Sequence, residues 1–354
     1  MAHVRGSQYY FCLMHFRFFM SRVAICQLLC FVGYMTLAQP KTPVFLDHDG
    51  GIDDLLSQIL ILTMEEKELV GVNVIPADCF IEPALRSSHK ILQLFDRTDI
   101  PLGRSDFYGV NAFPKKWRAE PDMVNYLPVV IGLPEPPDPY AYMEATSLLE
   151  KQLVAASTPV EIVRTGPPTD LVATIKKRPD LKSKIKQVVW MGGAFRTGGN
   201  VKMYQHDGSA EWNAYWDPIS TAELFELELP LVCVPLDVTN QVPVSTTFLK
   251  RLAEGSSGNI ANLAGQLWAM TKATVPSYHY TYFMWDILTT SYIAVPDLFT
   301  TEVVQAKAYQ RAPREGKTEI VEEGGYKVKI ATGVDVDRFY DFLIESFSKP
   351  FPNQ

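Results

Sequence analysis

The stretch Val44–Asp54, Val-Phe-Leu-Asp-His-Asp-Gly-Gly-Ile-Asp-Asp, decides the fold of this chain. Its apolar start, Val44–Leu46, predicts a buried parallel strand. The apolar spacing over Asp53–Met64 predicts a helix, and two glycines between these elements supply a tight turn. Such a turn lies at the carboxyl end of its strand, which is where open α/β sheets bind ligands.

Four aspartates crowd this one turn, namely Asp47, Asp49, Asp53 and Asp54. Like charges that close repel each other and resist burial, and a hard cation with oxygen ligands is the usual remedy. The pattern also fits a solvated acidic turn in which Asp53 lies near a helix N-terminus, where anions are favoured. The spacing alone leaves both interpretations open.

Length and composition set limits on the fold and on the partners. The 354 residues are 47% hydrophobic, which suffices for one large α/β domain or two smaller ones. The formal net charge of -7 argues against nucleic acid as a partner, because a phosphate backbone attracts basic surfaces.

Strand-like and helix-like segments alternate after the signature, which is typical of βαβ units. We therefore predict an α/β fold with a mostly parallel, Rossmann-like central sheet flanked by helices. No internal repeat or linker is visible, so residues 41–354 are interpreted as one domain. The irregular stretch 101–139 predicts a segment that covers a site. Near the C-terminus, Thr318–Val321 and Tyr326–Ile330 predict a hairpin turned at Gly324 and Gly325.

The N-terminal residues 1–38 predict a signal peptide, with Met20 as an alternative start. A basic residue at Arg22, a short apolar run and small residues before Gln39 predict cleavage and a secreted or extracytoplasmic protein. An uncleaved membrane anchor is the alternative, although the run is short for a membrane span. The chain beyond the leader keeps Cys79 and Cys233, whose apolar surroundings predict buried free thiols rather than a disulfide.

Several short motifs follow the signature in a fixed order and resemble those of one family, the nucleoside hydrolases. The signature itself, Leu46–Asp54, is similar to the aspartate-rich motif near the N-terminus of that family. The other matching motifs are Thr165-Gly166-Pro167, Met191-Gly192-Gly193, Ala210-Glu211-Trp212-Asn213, Trp216-Asp217-Pro218 and Trp285-Asp286. The resemblance implies an enzyme that hydrolyses the N-glycosidic bond of ribonucleosides with water.

Within that family the chain most resembles the purine-preferring class, the inosine–adenosine–guanosine nucleoside hydrolases. The motifs shared with this class are Ala77–Phe80, Phe113-Pro114-Lys115 with Trp117, the insertion Tyr204–Asp207, Gly208 and Trp285 before Asp286. The resemblance implies a purine ribonucleoside as the substrate, with ribose and the free base as products.

The resemblance also implies one bound Ca²⁺, held by Asp49, Asp54, the main-chain carbonyl of Thr165 and Asp286. Asp49 would in addition act as the general base on a metal-bound water. Ca²⁺ suits these roles because it accepts many oxygen ligands, and a bound cation lowers the pKa of water.

Ribose recognition falls, by the same resemblance, to polar residues spread over several motifs. A site that hydrogen-bonds each sugar hydroxyl strongly rejects a deoxy sugar. The alternative interpretation of such residues is local bonding within polar loops. The substrate-binding residues implied are Asp53, Asn200, Glu211 and Asn213, with Asp78 lining the sugar or base region and Asp47 supporting the site from behind.

Two departures from the family pattern concern the leaving base and the turn. Many members carry a histidine before the last metal aspartate as general acid, whereas this chain has Trp285 there and His279 only nearby. The purine class is thought to stack the base between two indoles, which here would be Trp117 and Trp285. Gly51 stands where the closest relatives carry asparagine, which removes a side-chain contact.

Three further functions compete with a purine nucleoside hydrolase. One is a broad-specificity or pyrimidine-acting member of the same family. Another is an aspartate-turn phosphatase, whose later lysine and aspartate motifs find no clear equivalent here. The last is a secreted nucleoside-binding or calcium-stabilised protein without turnover, against which the intact Asp49 argues. The family resemblance further suggests a homodimer or homotetramer.

Overall fold

The computed structural model describes residues 40–115, 118, 120–256, 258–274 and 281–352. The leader 1–38 with its alternative start at Met20 lies outside the described residues, as do Trp117 and His279. Across the described ranges, no helix is long and apolar enough to cross a membrane.

One ten-stranded sheet forms the centre of the described chain. Its strand order is β4-β3-β2-β1-β5-β6-β7-β10-β8-β9, and all neighbours are parallel except β10 with β8 and β8 with β9. The strands are β1 Thr42–His48, β2 Lys67–Val74, β3 Leu102–Arg104, β4 Met143–Glu144, β5 Val160–Arg164, β6 Ile185–Met191, β7 Leu231–Val234, β8 Phe299–Ala308, β9 Thr318–Ile320 and β10 Tyr326–Val334.

Helices cover both faces of this sheet. They are α1 Ile52–Thr63, α2 Ile81–Leu94, α3 Glu120–Val124, α4 Pro128–Ile131, α5 Ala145–Ala155, α6 Thr169–Lys177, α7 Trp212–Trp216, α8 Pro218–Glu226, α9 Leu236–Thr239, α10 Thr246–Gly255, α11 Asn259–Thr274, α12 Trp285–Ser291 and α13 Val336–Phe347. Short 3₁₀ turns occupy Pro139–Ala141, Pro179–Lys184 and Pro296–Leu298. The predicted α/β fold with a mostly parallel, Rossmann-like sheet is confirmed.

Strand β1 shows why the sheet is buried on both faces. Val44 and Leu46 belong to the core cluster that contains α1, whereas Phe45 packs into the separate cluster on the opposite face. Side chains alternate along a strand, so an unbroken apolar run needs helices above and below it. β1 therefore lies in the middle of the sheet, between β2 and β5.

The turn after β1 depends on Gly50. This residue has φ +92°, and a Cβ there would lie 2.4 Å from the Cβ of Ala84. Only glycine adopts this conformation without strain and leaves room for α2. Helix α1 then begins after Gly51, whose N–H donates to Asp54 Oδ2 at 2.8 Å. The strand order reverses at β1, which is the switch point where doubly wound sheets form a crevice.

The predicted hairpin near the C-terminus is wrong. Thr318–Ile320 (β9) and Tyr326–Val334 (β10) do not pair with each other but lie on opposite sides of β8, antiparallel to it. β8 pairs with both because it lies between them in the sheet and its backbone offers hydrogen-bonding groups along both of its edges. Its mixed Thr-Glu-Val-Val-Gln pattern gave no clear signal in the sequence.

Two smaller predictions concern the cysteines and the stretch 101–139. Cys79 and Cys233 are both buried free thiols, as predicted. The stretch 101–139 contains strand β3 and helices α3 and α4, so it is less irregular than expected. It lies against the loop after β2, since the Phe80 N–H donates to the Arg118 carbonyl at 2.9 Å.

Candidate active site

The four aspartates of the signature gather at the carboxyl end of β1. Asp47 is in the strand, Asp49 follows it, and Asp53 and Asp54 form the first turn of α1. Each of them is at most 3% exposed, so the turn is a buried acidic site rather than a solvated one. The solvated-turn interpretation of the sequence is thereby wrong.

Asp49 lies between two neighbouring turns. Its Oδ2 accepts a hydrogen bond from the Asp78 N–H at 3.1 Å, and its carbonyl accepts one from the Cys79 N–H at 3.2 Å. On the other side is Gly166, where a Cβ would come within 3.1 Å of Asp49 Cβ. Asp49 is therefore fixed by the loop after β2 and by the turn after β5.

Asp54 connects α1 to the turn after β5. The Thr165 hydroxyl donates to Asp54 Oδ1, while the Gly51 N–H holds the other carboxylate oxygen. The Thr165 carbonyl, one of the expected metal ligands, accepts from Asn213 Nδ2 at 2.8 Å. A continuous chain of contacts thus runs from α1 through Thr165 to Asn213 on α7.

Asp53 joins the signature to α12. Its Oδ2 accepts from the backbone N–H of Asp286 at 2.6 Å and from that of Ile287 at 3.3 Å. A carboxylate at this position is favoured by the free N–H groups and the dipole of the helix N-terminus. Residues 233 positions apart in sequence are therefore joined at one point.

Glu211 and Asn213 occupy the start of α7. Glu211 is its N-cap and accepts from the backbone N–H groups of Asn213 at 2.8 Å, Ala214 at 3.1 Å and Gly193 at 3.2 Å. These are the local bonds that the alternative interpretation expected, although Oε1, which accepts only the bond from Asn213, retains a lone pair. Asn200 lies beside them, because its N–H donates to the Ala210 carbonyl at 3.0 Å. Its buried Oδ1 has no hydrogen-bond partner among the described residues.

The acidic groups disturb each other's protonation. Burial and then the charges of Asp54 and Asp78 raise the pKa of Asp49 well above its usual range. Burial, followed by the charges of Asp54, Asp53 and Asp49, does the same to the pKa of Asp286. Burial is also the main cause that raises the pKa of Asp53 to about 7 and that of Glu211 to about 7. The site contains more carboxylates than positive charges that could balance them.

This donor set can be compared with what a cation requires. Asp49, Asp54, Asp286 and the Thr165 carbonyl offer only oxygen atoms, which suits a hard cation such as Ca²⁺. Of the signature aspartates, only Asp47 is paired with a basic side chain among the described residues, and its partner is Arg164. The side chains are nevertheless not assembled as a ready metal cluster in the part of the chain described. The chemistry fits the ion, while Asp54 is turned toward Gly51 and Thr165.

Trp285 borders the site on the side of α12. Its ring meets Tyr282 edge to face, with 4.7 Å between centroids, and lies 5.9 Å from Phe283. It is half-buried and packs against Met191, Ala194 and Leu236. The indole is adjacent in the chain to Asp286. The other indole expected at the base, Trp117, and the nearby His279 lie outside the described residues.

The structure also places near the acidic site several residues that the sequence analysis did not single out. Arg164 is completely buried behind Asp47, and Tyr282 lies close enough to Asp53 that its pKa rises well above normal through burial and that charge. Burial and then the charge of Glu120 raise the pKa of Asp78, and burial raises the pKa of Glu120 itself to about 7. Arg164 had only a weak signal in the sequence, a charged residue directly before Thr165 at the end of a short strand that also contains Glu161.

Comparison with known proteins identifies the class. A family model described as inosine-uridine preferring nucleoside hydrolase matches residues 44–341, and the chain belongs to this family. It is thus a nucleoside hydrolase, an enzyme that cleaves ribonucleosides, which agrees with the resemblance found in the sequence.

Three relatives illustrate the range of base preferences within the family. The pyrimidine-specific ribonucleoside hydrolase RihA of Escherichia fergusonii is 28% identical, over 86% of this chain and 97% of its own length. The structure of an inosine-uridine preferring nucleoside hydrolase from Bacillus anthracis is 34% identical, with a TM-score of 0.79 over 87% of this chain and 99% of that one. A purine-preferring ribonucleoside hydrolase from Gardnerella vaginalis shares the fold at 22% identity, with a TM-score of 0.72 over 87% and 98% of the two chains.

Proposed function

We propose that this enzyme hydrolyses the N-glycosidic bond of purine ribonucleosides, with Ca²⁺ as its cofactor. The observation that carries the proposal is the position of Trp285 directly before Asp286, at the edge of a buried acidic site. Asp286 belongs to the acidic group, and the indole beside it offers an aromatic face for a base. Two adjacent residues at the start of α12 would therefore lie beside the substrate, with Asp286 near the sugar and Trp285 near the base.

Asp49, Asp54, Asp286 and the Thr165 carbonyl would hold the ion. Bound Ca²⁺ would orient a water molecule and make it easier to deprotonate. Asp49 would accept the proton of that water, for which it is suited because its carboxylate is fixed between the loop after β2 and the turn after β5, beside the proposed ion. The negative charge of the surrounding aspartates would stabilise the positive charge that develops on the sugar.

The ribose would be bound by side chains that the fold already holds in place. Asp53 has one buried oxygen, Oδ1, without a partner among the described residues, and Asn200 has another. Glu211 and Asn213 are fixed at the start of α7, and Asp78 stands next to Asp49. Sites that are held before the substrate arrives lose less entropy on binding.

The leaving base would be stabilised by stacking rather than by a histidine. A purine would present a wide aromatic face to Trp285 and, as the resemblance to the purine class implies, to Trp117. Stacking on an aromatic side chain is worth about 1–3 kcal/mol per base. It would also favour protonation of the purine by solvent, so that no acidic side chain is required at this point.

A second candidate is a broad-specificity or pyrimidine-acting hydrolase. It is favoured by the described specificities of two relatives, RihA for pyrimidines and the Bacillus anthracis enzyme for inosine and uridine. The two candidates share all of the acidic site and differ only in the contacts of the base.

One assay separates these functions. Ribose release is measured from inosine, adenosine, guanosine and uridine, and phosphate release from a phosphomonoester, with and without a calcium chelator. We expect the three purine nucleosides to be cleaved most efficiently, with loss of activity on chelation. Equal efficiency on inosine and uridine would favour the second candidate, and binding without turnover would favour a nucleoside-binding protein.

We also propose that residues 1–38 are a signal peptide and that the mature enzyme is secreted or extracytoplasmic, with a membrane anchor as the alternative. The apolar run after Arg22 and the small residues before Gln39 support this. N-terminal sequencing of the mature protein should begin at Gln39.

We further propose a homodimer or homotetramer, which light scattering of the purified protein would test.

A further inference from the structure

Arg164 is the last residue of β5 and is completely buried. It lies directly opposite Asp47 in the parallel pairing of β5 with β1. One guanidinium nitrogen, Nη1, donates to Asp47 Oδ2, and the other, Nη2, donates to the Pro167 carbonyl. A single side chain therefore binds both the strand of the signature and the turn that follows its own strand.

The turn Thr165–Pro167 is the part of the site that this arginine holds. At its start the Thr165 N–H donates to the Asp47 carbonyl at 2.9 Å, and at its end the Pro167 carbonyl is bound by Arg164. Between these two points lie the Thr165 carbonyl and Gly166, whose backbone packs on Asp49. A shift of this turn would displace the Thr165 carbonyl and press on Asp49.

The charges around Arg164 suit this task. Asp47 and Asp170 are both buried nearby, and burial raises the pKa of each, while the guanidinium opposes that rise. Asp170 is fixed in turn by the Ser105 hydroxyl, which donates to its Oδ1 at 2.9 Å. A buried guanidinium with two acceptors in different directions is held in one orientation, because its donors form a rigid planar fork.

We propose that Arg164 is a positioning residue for the ion-binding turn. It fixes the Thr165 carbonyl and the backing of Asp49 through its bonds to Pro167 and Asp47, without touching the substrate. The inference rests on the proposed function, because it assigns Arg164 to the same calcium site. Lysine at this position would keep the charge but reach only one of the two acceptors, so the turn would lose one of its two anchors.

The test uses the full chain carrying Arg164→Lys, with Lys67→Met as the matched control. Lys67 is partly buried and also forms an ion pair within this sheet, with the buried Glu161 of β5, but at the amino ends of the strands, away from the turn. Glu161 keeps Lys186 as a second partner. Each protein is stripped with a chelator, and Ca²⁺ alone is titrated in by calorimetry, before kcat and KM for inosine are measured.

We expect Arg164→Lys to bind Ca²⁺ about 10- to 100-fold more weakly, which is the usual effect of losing a partner that orients a metal ligand. The loss of kcat should be partly restored by excess Ca²⁺. Lys67→Met should melt at a lower temperature with unchanged Ca²⁺ affinity. Wild-type Ca²⁺ affinity in Arg164→Lys would overturn the inference while leaving the proposed function intact. If the wild type itself binds no Ca²⁺, the proposed cofactor and this inference are both wrong.

Asp47→Asn supplies a second route if Arg164→Lys does not fold. It removes the ion pair while keeping the shape of the side chain. Where both single variants fold, the double variant should lose clearly less Ca²⁺ affinity than the sum of the single losses, because the two residues act as one unit; additive losses would contradict the inference. Unchanged Ca²⁺ affinity in Asp47→Asn would also contradict the inference.

Discussion

Replacing Trp285 by alanine tests the stacking of the base most directly. The ring is half-buried, borders Asp286 and is supported by Tyr282 at 4.7 Å between centroids. Its removal takes away one aromatic face, which is worth about 1–3 kcal/mol to a stacked base. At 1.4 kcal/mol per decade this corresponds to a loss of about 5- to 150-fold in kcat/KM for inosine.

The assay compares initial rates of ribose release from inosine and uridine at saturating Ca²⁺. Trp285→Phe should retain most of the activity because it keeps an aromatic face. Phe351→Ala is the control, since it removes a buried ring in edge contact with Phe95 at 5.1 Å, far along the chain from the site. It should lower the melting temperature without changing the preference for inosine. A loss of equal size on inosine and uridine in Trp285→Ala would refute the stacking argument.

Three further predictions follow from the acidic site. Asp54→Ala and Asp286→Ala should each lose bound Ca²⁺ and most activity, and should no longer gain melting temperature on adding Ca²⁺, because a ligand stabilises only a fold that binds it; elemental analysis showing no divalent cation in active wild type would contradict this. Asp49→Ala should stay folded and lose about 10²–10⁴-fold or more in kcat, the usual cost of removing a general base; near-normal turnover would exclude that role. Burial and then the charge of Asp47 raise the pKa of Asp170 to about 8, so the folded state binds a proton that the unfolded state releases near the usual aspartate pKa of 3.8. This contribution to stability is complete below that lower value and is lost as the pH rises through 8, so urea unfolding between pH 5 and pH 9 should show a smaller decline in Asp170→Asn than in wild type.

The central part of the fold could be predicted because its signals are local. Val44–Leu46 are apolar on both faces, which only a central strand requires, and Gly50 marks the one backbone conformation that other residues resist. The prediction failed where strand pairing depends on residues that are distant in the sequence. Thr318–Ile320 and Tyr326–Val334 resemble two strands of a hairpin, but β8 offers each of them a partner, and no local pattern shows that choice.

The same difference between local and long-range signals applies to the candidate site. The gathering of Asp49, Asp53 and Asp54 in one turn follows from their spacing, whereas their roles and the inclusion of Asp286 came from the family resemblance. The link from Asp53 to the backbone of Asp286 spans 233 positions and could not be derived from spacing. The charge of Arg164 at the end of β5 was visible in the sequence, but its pairing with Asp47 depends on the register of β5 against β1, which no local pattern shows.

The two buried thiols give this enzyme built-in reporters of its own opening. Burial raises the pKa of Cys79 well above its normal range, with further contributions from Asp78 and Asp49, and burial raises the pKa of Cys233 as well. A reagent that attacks only thiolates must wait until the surrounding structure opens. Cys79 adjoins the loop that holds Asp49, whereas Cys233 lies within β7 in the centre of the sheet. Their separate labelling rates would distinguish local breathing of the catalytic crevice from unfolding of the whole sheet.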